Sequence, residues 1–419
     1  MKIEIEDQDA NYMYDIIQRI IDEAGCRMPC SPQEAKGAEI IKKEMEQTCD
    51  EVEIEPFTCH PRAFLGWIKI DIILILVSMG CFFLIGVYTD YLMRLLLSLI
   101  SFGLSFTAFV ILWNEFFNYR EFIDPLFKKK SSQNVVGKIK PSGEPKNIII
   151  YSGHHDSALQ FNLLRYLKIG YGIIIFWGMI IMFIWIIRSG IVLIITAFSI
   201  DFYQYFLERT IWTLIIGAVP LIGLFFFVSP GEKANKAPGA VDNLSAVSIV
   251  LGVGRYLRKH PDLIPPNTEV RLISFGCEEA GLRGAYRYAE AHLKELQEKN
   301  AEVVNMDGIQ SVKKPLIIEN EPTTRTKHSP EVVDKLIEAS KTVEVEAEAF
   351  GNTFTQQLIG QISGGTDATA FSKAGIKAAT IASMELKKFI KFYHQPTDTV
   401  DMIDKGALEK VLKLCLGYL

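Results

Sequence analysis

Hydrophobic and polar positions along this chain follow two unlike patterns. In one, short apolar runs alternate with amphipathic stretches and turn residues; in the other, apolar residues follow one another for the length of a membrane span. The first pattern opens with Ile16, Ile17, Ile20 and Ile21, spaced for one face of a helix over Asn11–Ala24. Ser31 then offers an N-cap, Pro32 a first helical position and Glu34 an early acid for a second helix running to about Gln47. Glu51-Val-Glu-Ile-Glu-Pro56 alternates as a half-buried strand. Gln133–Lys140 and Asn147–Tyr151 read as a strand pair, Leu244–Leu257 as an apolar helix and Glu269–Phe275 as a strand. The helix Arg283–Gln297 follows, then strands at Val303–Asp307 and Pro315–Ile318, helices at Pro330–Val343 and Ala368–Ala374, a strand at Lys377–Ala382 and a closing helix at Leu408–Leu416. Strands alternating with helices predict a doubly wound α/β domain.

The second pattern fills two blocks. Ile72–Tyr88 and Leu92–Trp113, 17 and 22 residues long, are joined by a short turn around Thr89-Asp-Tyr91 and predict a helical hairpin in lipid. Ile169–Ile187 and Ile211–Val228 are two more candidate spans. The ten-residue run Ile191–Ile200 is too short to cross, so Ile191–Leu207 is expected at the far interface or re-entrant. If residues before and after this block share one site, the chain must return to the side it left. Crossings are then even, and about four transmembrane helices are expected.

Composition agrees with a chain partly in lipid: 49% of its 419 residues are hydrophobic and the mean hydropathy is +0.19. The net charge of −5, with no basic cluster beyond Lys128–Lys130, leaves no electrostatic footprint for nucleic acid. Seven cysteines without regular spacing suggest a reducing compartment, and Cys26 with Cys30 lacks a second Cys/His pair nearby in sequence. The acidic start, Met1-Lys-Ile-Glu-Ile-Glu-Asp7, has no apolar core of a secretory signal.

Candidate chemistry sits at predicted strand ends. His154 and Asp156 follow Ile148–Tyr151 across Gly153, where open α/β sheets put their sites, and His-x-Asp is a metal ligand with a carboxylate to orient it. Asp242, Glu279, Asp307 and His394 lie at similar strand ends and loops, and with His154 they make a possible binuclear set. Glu278 precedes Glu279, so one carboxylate can bind metal while its neighbour serves as general base. His60, His260, His292 and His328 lack such context and are expected at the surface, and Asp398 is expected to cap the closing structure.

The segments Gly153-His-His-Asp-Ser157, Pro238-Gly-Ala-Val-Asp-Asn243, Phe275-Gly-Cys-Glu-Glu-Ala-Gly-Leu-Arg-Gly284, Asn305-Met-Asp307, Gly364-Gly-Thr-Asp-Ala-Thr-Ala-Phe371 and Tyr393-His-Gln-Pro-Thr-Asp-Thr399 stand in one order. In that order the chain resembles the di-zinc exopeptidases of the aminopeptidase Y and bacterial leucyl aminopeptidase type, metallopeptidase family twenty-eight, which also includes glutamate carboxypeptidases and glutaminyl cyclases. The resemblance implies a mixed sheet of the zinc-exopeptidase type and two zinc ions. It makes Asp242 the bridge, with His154 and Asp307 completing one site and Glu279 and His394 the other. Glu278 becomes the base, Asp156 the residue that orients His154, Tyr393 a hydrogen-bond donor to the oxyanion, and His155 a variable middle residue. Two departures stand out: 87 residues separate His154 from Asp242, and Gly364-Gly-Thr-Asp367 replaces the more usual Ser-Asp-His before the helix.

The expected protein is a membrane-bound zinc aminopeptidase acting on peptides through a metal-activated water. Carboxypeptidase and glutaminyl cyclase are alternatives on the same scaffold, and a catalytically silent receptor is the alternative of another class. Residues 1–62 open the catalytic domain, 63–117 form a hairpin in the bilayer, 118–165 carry the first metal motif, 166–229 are a second membrane insertion and 230–419 hold the remaining ligands. Lys69, Lys128, Lys129, Lys130, Arg165, Lys168, Lys233 and Lys236 flank the spans on the soluble side, against Arg94, Arg188 and Arg209 opposite, which favours a cytoplasmic catalytic domain.

Overall fold

A computed structural model describes residues 3–168, 170–198, 216–229, 234–360 and 364–419. Two compact units divide them: Met1–Pro61, Lys128–Gln160 and Pro230–Leu419 form the first, Arg62–Phe127 and Phe161–Ser229 the second.

Eight strands of the first unit form one mixed sheet: β1 (Glu51–Cys59), β2 (Lys130–Ile139), β3 (Asn147–His154), β4 (Thr268–Phe275), β5 (Glu302–Ile309), β6 (Leu316–Ile318), β9 (Glu348–Phe350) and β10 (Lys377–Ser383). The short strands β7 (Asn320–Glu321) and β8 (Thr326–Lys327) pair apart from it. The order across the sheet is β1-β2-β4-β3-β5-β10-β6-β9, with β4, β3, β5 and β10 parallel at its centre. Successive residues of β3 feed opposite faces, which is why its run is apolar without alternation. Ile149 and Tyr151 join a core with the helices Asp7–Ala24, Ser245–Lys259, Pro330–Thr342 and Ala407–Tyr418. Ile148 and Ile150 join the other core, with the helices Arg283–Glu298 and Ala368–Lys373.

The expected strands and helices of this unit form, with one correction in pairing. β2 and β3 are neighbours in sequence but not in the sheet, because β4 returns through the helix Ser245–Lys259 and lies between them, antiparallel to β2 and parallel to β3. That helix runs close under β3: a Cβ on Gly153 would come within 2.6 Å of the Ala246 Cβ. Ser31 caps as expected, its hydroxyl accepting the Glu34 N–H at 3.1 Å.

Among the described residues, the second unit holds three helices long and apolar enough to cross a membrane: Ala63–Ile85, Tyr91–Glu115 and Gly170–Ala197. Small polar groups stitch them together. Ser78 Oγ donates to the Ser101 carbonyl at 2.7 Å and accepts from Trp185 Nε1 at 2.8 Å, and the Ser105 and Ser189 hydroxyls lie 2.7 Å apart. Large apolar side chains such as Ile73, Leu92 and Phe176 face outward. The 28-residue helix Gly170–Ala197 corrects the expected stop at Ile187 and the separate run beginning at Ile191. Ser189 and Gly190, which lie between those two expected runs, form a packing seam, with Ser189 on Ser105 and the Gly190 backbone against the Phe102 ring. Residues 199–207 of the expected interfacial segment and 211–215 of the expected fourth span lie outside the described residues; the rest of that span holds the ten-residue helix Ile216–Phe225.

Candidate metal centre

The parallel strands β4, β3 and β5 end side by side. His154 is the last residue of β3, in register with Phe275 at the end of β4, and Asp307 stands near the end of β5. Beyond Phe275 the chain turns through Cys277 in the left-handed region (φ 54°) into the short turn Glu278–Ala280. Asp242 lies in the turn Ala240–Leu244 ahead of the helix Ser245–Lys259, and His394 follows the helix Leu386–Phe392 with φ 52°.

These residues converge on one space. His154 Nε2 stands 3.3 Å from Asp242 Oδ1 and 3.7 Å from Glu278 Oε2. His394 Nε2 stands 3.3 Å from Asp242 Oδ2 and 3.4 Å from Glu279 Oε2. Ligand atoms of His154, Asp242 and Glu279 all lie within 4.8 Å of one another, as do those of His154, Glu278 and Asp307. Each oxygen of Asp242 therefore faces a different imidazole. Burial foremost, and then neighbouring carboxylates, push Glu278, Glu279 and Asp307 well above the usual carboxylate range. Burial alone would push His154 down, but Glu278, Asp156 and Asp242 outweigh it and hold the imidazole well above its ordinary value. The His154 Nε2 and Glu279 Oε1 atoms are buried without a hydrogen bond. A divalent cation among these nitrogens and oxygens would be bound by all of them at once in place of shared protons, and imidazole and carboxylate ligands fit zinc.

A second layer of bonds holds the set in place. Asp156 stands 3.4 Å from His154 Nδ1, and its two oxygens accept the backbone N–H groups of Glu278 and Glu279, each at 3.0 Å. It thus fastens the imidazole and the glutamate turn at once. Asp398, expected only as a cap, accepts the N–H of Val241 at 2.7 Å and of Asp242 at 3.3 Å. Asn243 donates to the Met306 carbonyl at 3.0 Å and accepts from Gly308 N at 3.2 Å, which clasps the strand on both sides of Asp307. The buried Arg27 donates to the carbonyls of His155 at 2.7 Å and Gly239 at 3.1 Å, tying the loops of His154 and Asp242 together. Neither Arg27 nor Asn243 was legible as a site residue; only the position of Asn243 directly after Asp242 offered a signal.

Tyr393 stacks on Phe389 and packs its ring against His394, with centroids 3.9 Å apart. Asp367 is buried with neither oxygen hydrogen-bonded, and burial pushes it up to about 7. His155 is buried, its Nδ1 2.9 Å from Ser274 Oγ. His328 corrects the expectation of a surface residue: it is buried, with Nε2 3.0 Å from Glu321 Oε1 and Nδ1 2.9 Å from Ser372 Oγ. His292 is half-buried on Glu55, and His260 is exposed.

Residues 228–419, the stretch carrying Asp242, Glu278, Glu279, Asp307 and His394, match the sequence profile described as peptidase family M28. Over those residues, somewhat under half of the chain, the sequence is similar to that family. Aminopeptidase YwaD of Bacillus subtilis (strain 168) is 31% identical over 183 residues, 43% of this chain and 36% of that relative, so the match spans about a third of the relative's length. The fold matches that of BSAP, a zinc aminopeptidase from Bacillus subtilis, with a TM-score of 0.53 at 15% identity, covering 98% of this chain and 94% of the other. A glutaminyl cyclase from Fimbriiglobus ruber superposes with a TM-score of 0.54 at 12% identity, covering 100% of this chain and 96% of the other.

Proposed function

We propose that this chain is a membrane-bound, zinc-dependent exopeptidase, an aminopeptidase that removes N-terminal residues from peptides. The observation that carries the reading is Asp242, whose two oxygens each face a different histidine at 3.3 Å, the arrangement of a carboxylate bridging two ions. His154 and Asp307 would complete one zinc site, and Glu279 and His394 the other. Two bound zinc ions supply Lewis-acid polarisation of the peptide carbonyl and a water of lowered pKa. Glu278, beside these ligands but not needed to complete either set, accepts the proton of the attacking water and returns it to the leaving amine. Asp156 keeps the His154 ring and the Glu278 amide in register, and Tyr393 donates to the oxyanion. Zinc aminopeptidase is the description of the solved relative, and YwaD is likewise an aminopeptidase. Three apolar helices of membrane-span length support the membrane assignment.

The test is made on the full chain in detergent. Metal analysis should give two zinc ions per chain. Amino-acid nitroanilides and dipeptides should be hydrolysed, while N-acylated dipeptides and a peptide with N-terminal Gln should be respectively uncut and uncyclised. A two-zinc protein that cyclises Gln, releases C-terminal residues or turns over no peptide would overturn the reading.

A further inference from the structure

Beside the glutamate turn, three cysteines from distant parts of the chain meet. Cys30 lies just ahead of the helix Pro32–Met45, Cys59 ends β1, and Cys277 stands between β4 and Glu278. Cys30 Sγ is 3.5 Å from Cys59 Sγ and 3.4 Å from Cys277 Sγ, and the three sulfurs all lie within 4.8 Å of one another. Glu34 adds a carboxylate: Oε1 is 3.4 Å from Cys277 Sγ and accepts the Cys277 N–H at 3.0 Å, while Oε2 accepts from Cys30 N at 2.7 Å and Ser132 Oγ at 2.9 Å. Cys59, Cys277 and Glu34 are almost wholly buried, and Cys30 is partly open.

The spacing discriminates between two uses of thiols. A disulfide brings two sulfurs to about 2.05 Å, and here Cys30 has two partners at almost equal distance, so neither pairing is singled out. Sulfurs held at about 2.3 Å by one tetrahedral ion stand roughly 3.8 Å apart, and a sulfur and an oxygen on that ion roughly 3.6 Å apart. The separations of 3.5, 3.4 and 3.4 Å fall within a few tenths of an ångström of these edges. Thiolate sulfur selects soft or borderline cations, whereas the imidazole and carboxylate donors of the neighbouring centre do so less.

We propose that Cys30, Cys59 and Cys277, with Glu34 as the fourth donor, form a structural zinc site distinct from the imidazole–carboxylate centre. Its consequence lies in the backbone. The N–H groups of Cys277, Glu278 and Glu279 are held in succession by Glu34 and the two oxygens of Asp156. An ion on Cys277 would therefore anchor the segment that presents Glu278 and Glu279 to the end of β1 and the start of the helix Pro32–Met45.

Cobalt(II) is the probe, because a thiolate ligand gives it a charge-transfer band in the near ultraviolet that imidazole and carboxylate ligands do not. The full-length chain, reduced and stripped of metal in detergent, is titrated with cobalt without oxygen. The band should rise to saturation at one equivalent bound by thiolate and collapse when zinc is added. It should be lost in Cys30→Ser and in Cys59→Ser, and kept in Asp242→Asn. Absence of the band in the reduced wild-type chain overturns the proposal whether or not the cysteine variants fold, and so does a band that survives both substitutions. A disulfide between Cys30 and either partner, recovered from protein prepared without reductant, overturns it as well.

Discussion

At the scale of single residues the centre divides labour between neighbours of identical chemistry. Glu278 and Glu279 are adjacent, yet Glu278 Oε2 approaches His154 and Glu279 Oε2 approaches His394, because a short turn sends consecutive side chains to different places. If Glu278 is the base, Glu278→Gln removes only a proton acceptor, so the zinc content should stay at the wild-type level while kcat falls about 10²–10⁴-fold; hydrolysis at the native rate would assign the base elsewhere. On the proposed bridging role, Asp242→Asn would touch both ions at once. Its zinc content, read by metal analysis after dialysis, should fall towards zero, and retention of both ions would refute the bridge. The candidate ligand residues, which the fold brings together, were legible because metal chemistry admits few side chains and they stand at strand ends and loops. Arg27, Glu34 and Asn243 were not, because each acts by hydrogen bonds to backbone groups far away in sequence, and the identity of the bonded residue leaves no mark. The thiol cluster escaped for a related reason: the fold joins Cys30 to Cys59 and Cys277, not to its sequence neighbour Cys26.

Among elements, β3 and the helix Ser245–Lys259 make the closest approach behind the centre. A Cβ at position 153 would meet the Ala246 Cβ at 2.6 Å and the Ala246 carbonyl carbon at 3.3 Å, with no flexible side chain to yield. Gly153→Ala should therefore destabilise the fold by about 1–3 kcal/mol through overpacking, seen as a lower Tm in thermal denaturation followed by circular dichroism. An unchanged Tm would mean that the strand and helix are not in such contact. Element identities were legible from periodicity, since amphipathic spacing and buried apolar runs report the very burial that forms them. Adjacency was not: the place of β4 between β2 and β3 depends on where a crossover returns, which no local pattern records. The expected end of the span at Ile187 failed because small polar residues such as Ser189, which follow it, end helices in water but join helices in an apolar surrounding, as Ser189 does on Ser105.

For the whole molecule, we propose from the excess of lysine and arginine beside the apolar blocks that the sheet-bearing unit faces the cytoplasm. A reporter that fluoresces only in the cytoplasm, fused after Leu419, should be bright, and a reporter active only outside the cytoplasm should be silent; the reverse pair of results would invert the orientation. The sheet-bearing unit is assembled from three separated stretches of chain, Met1–Pro61, Lys128–Gln160 and Pro230–Leu419. This sets an order on the assembly of the candidate centre. When the ribosome has delivered β1, β2 and β3, the chain holds His154 but none of its partners, and β3 has neither of its neighbours, β4 and β5. Both apolar blocks must leave the ribosome before those strands exist. Until its last stretch has been translated, a half-made copy thus lacks part of the candidate metal centre and exposes unpaired strand edges to chaperones.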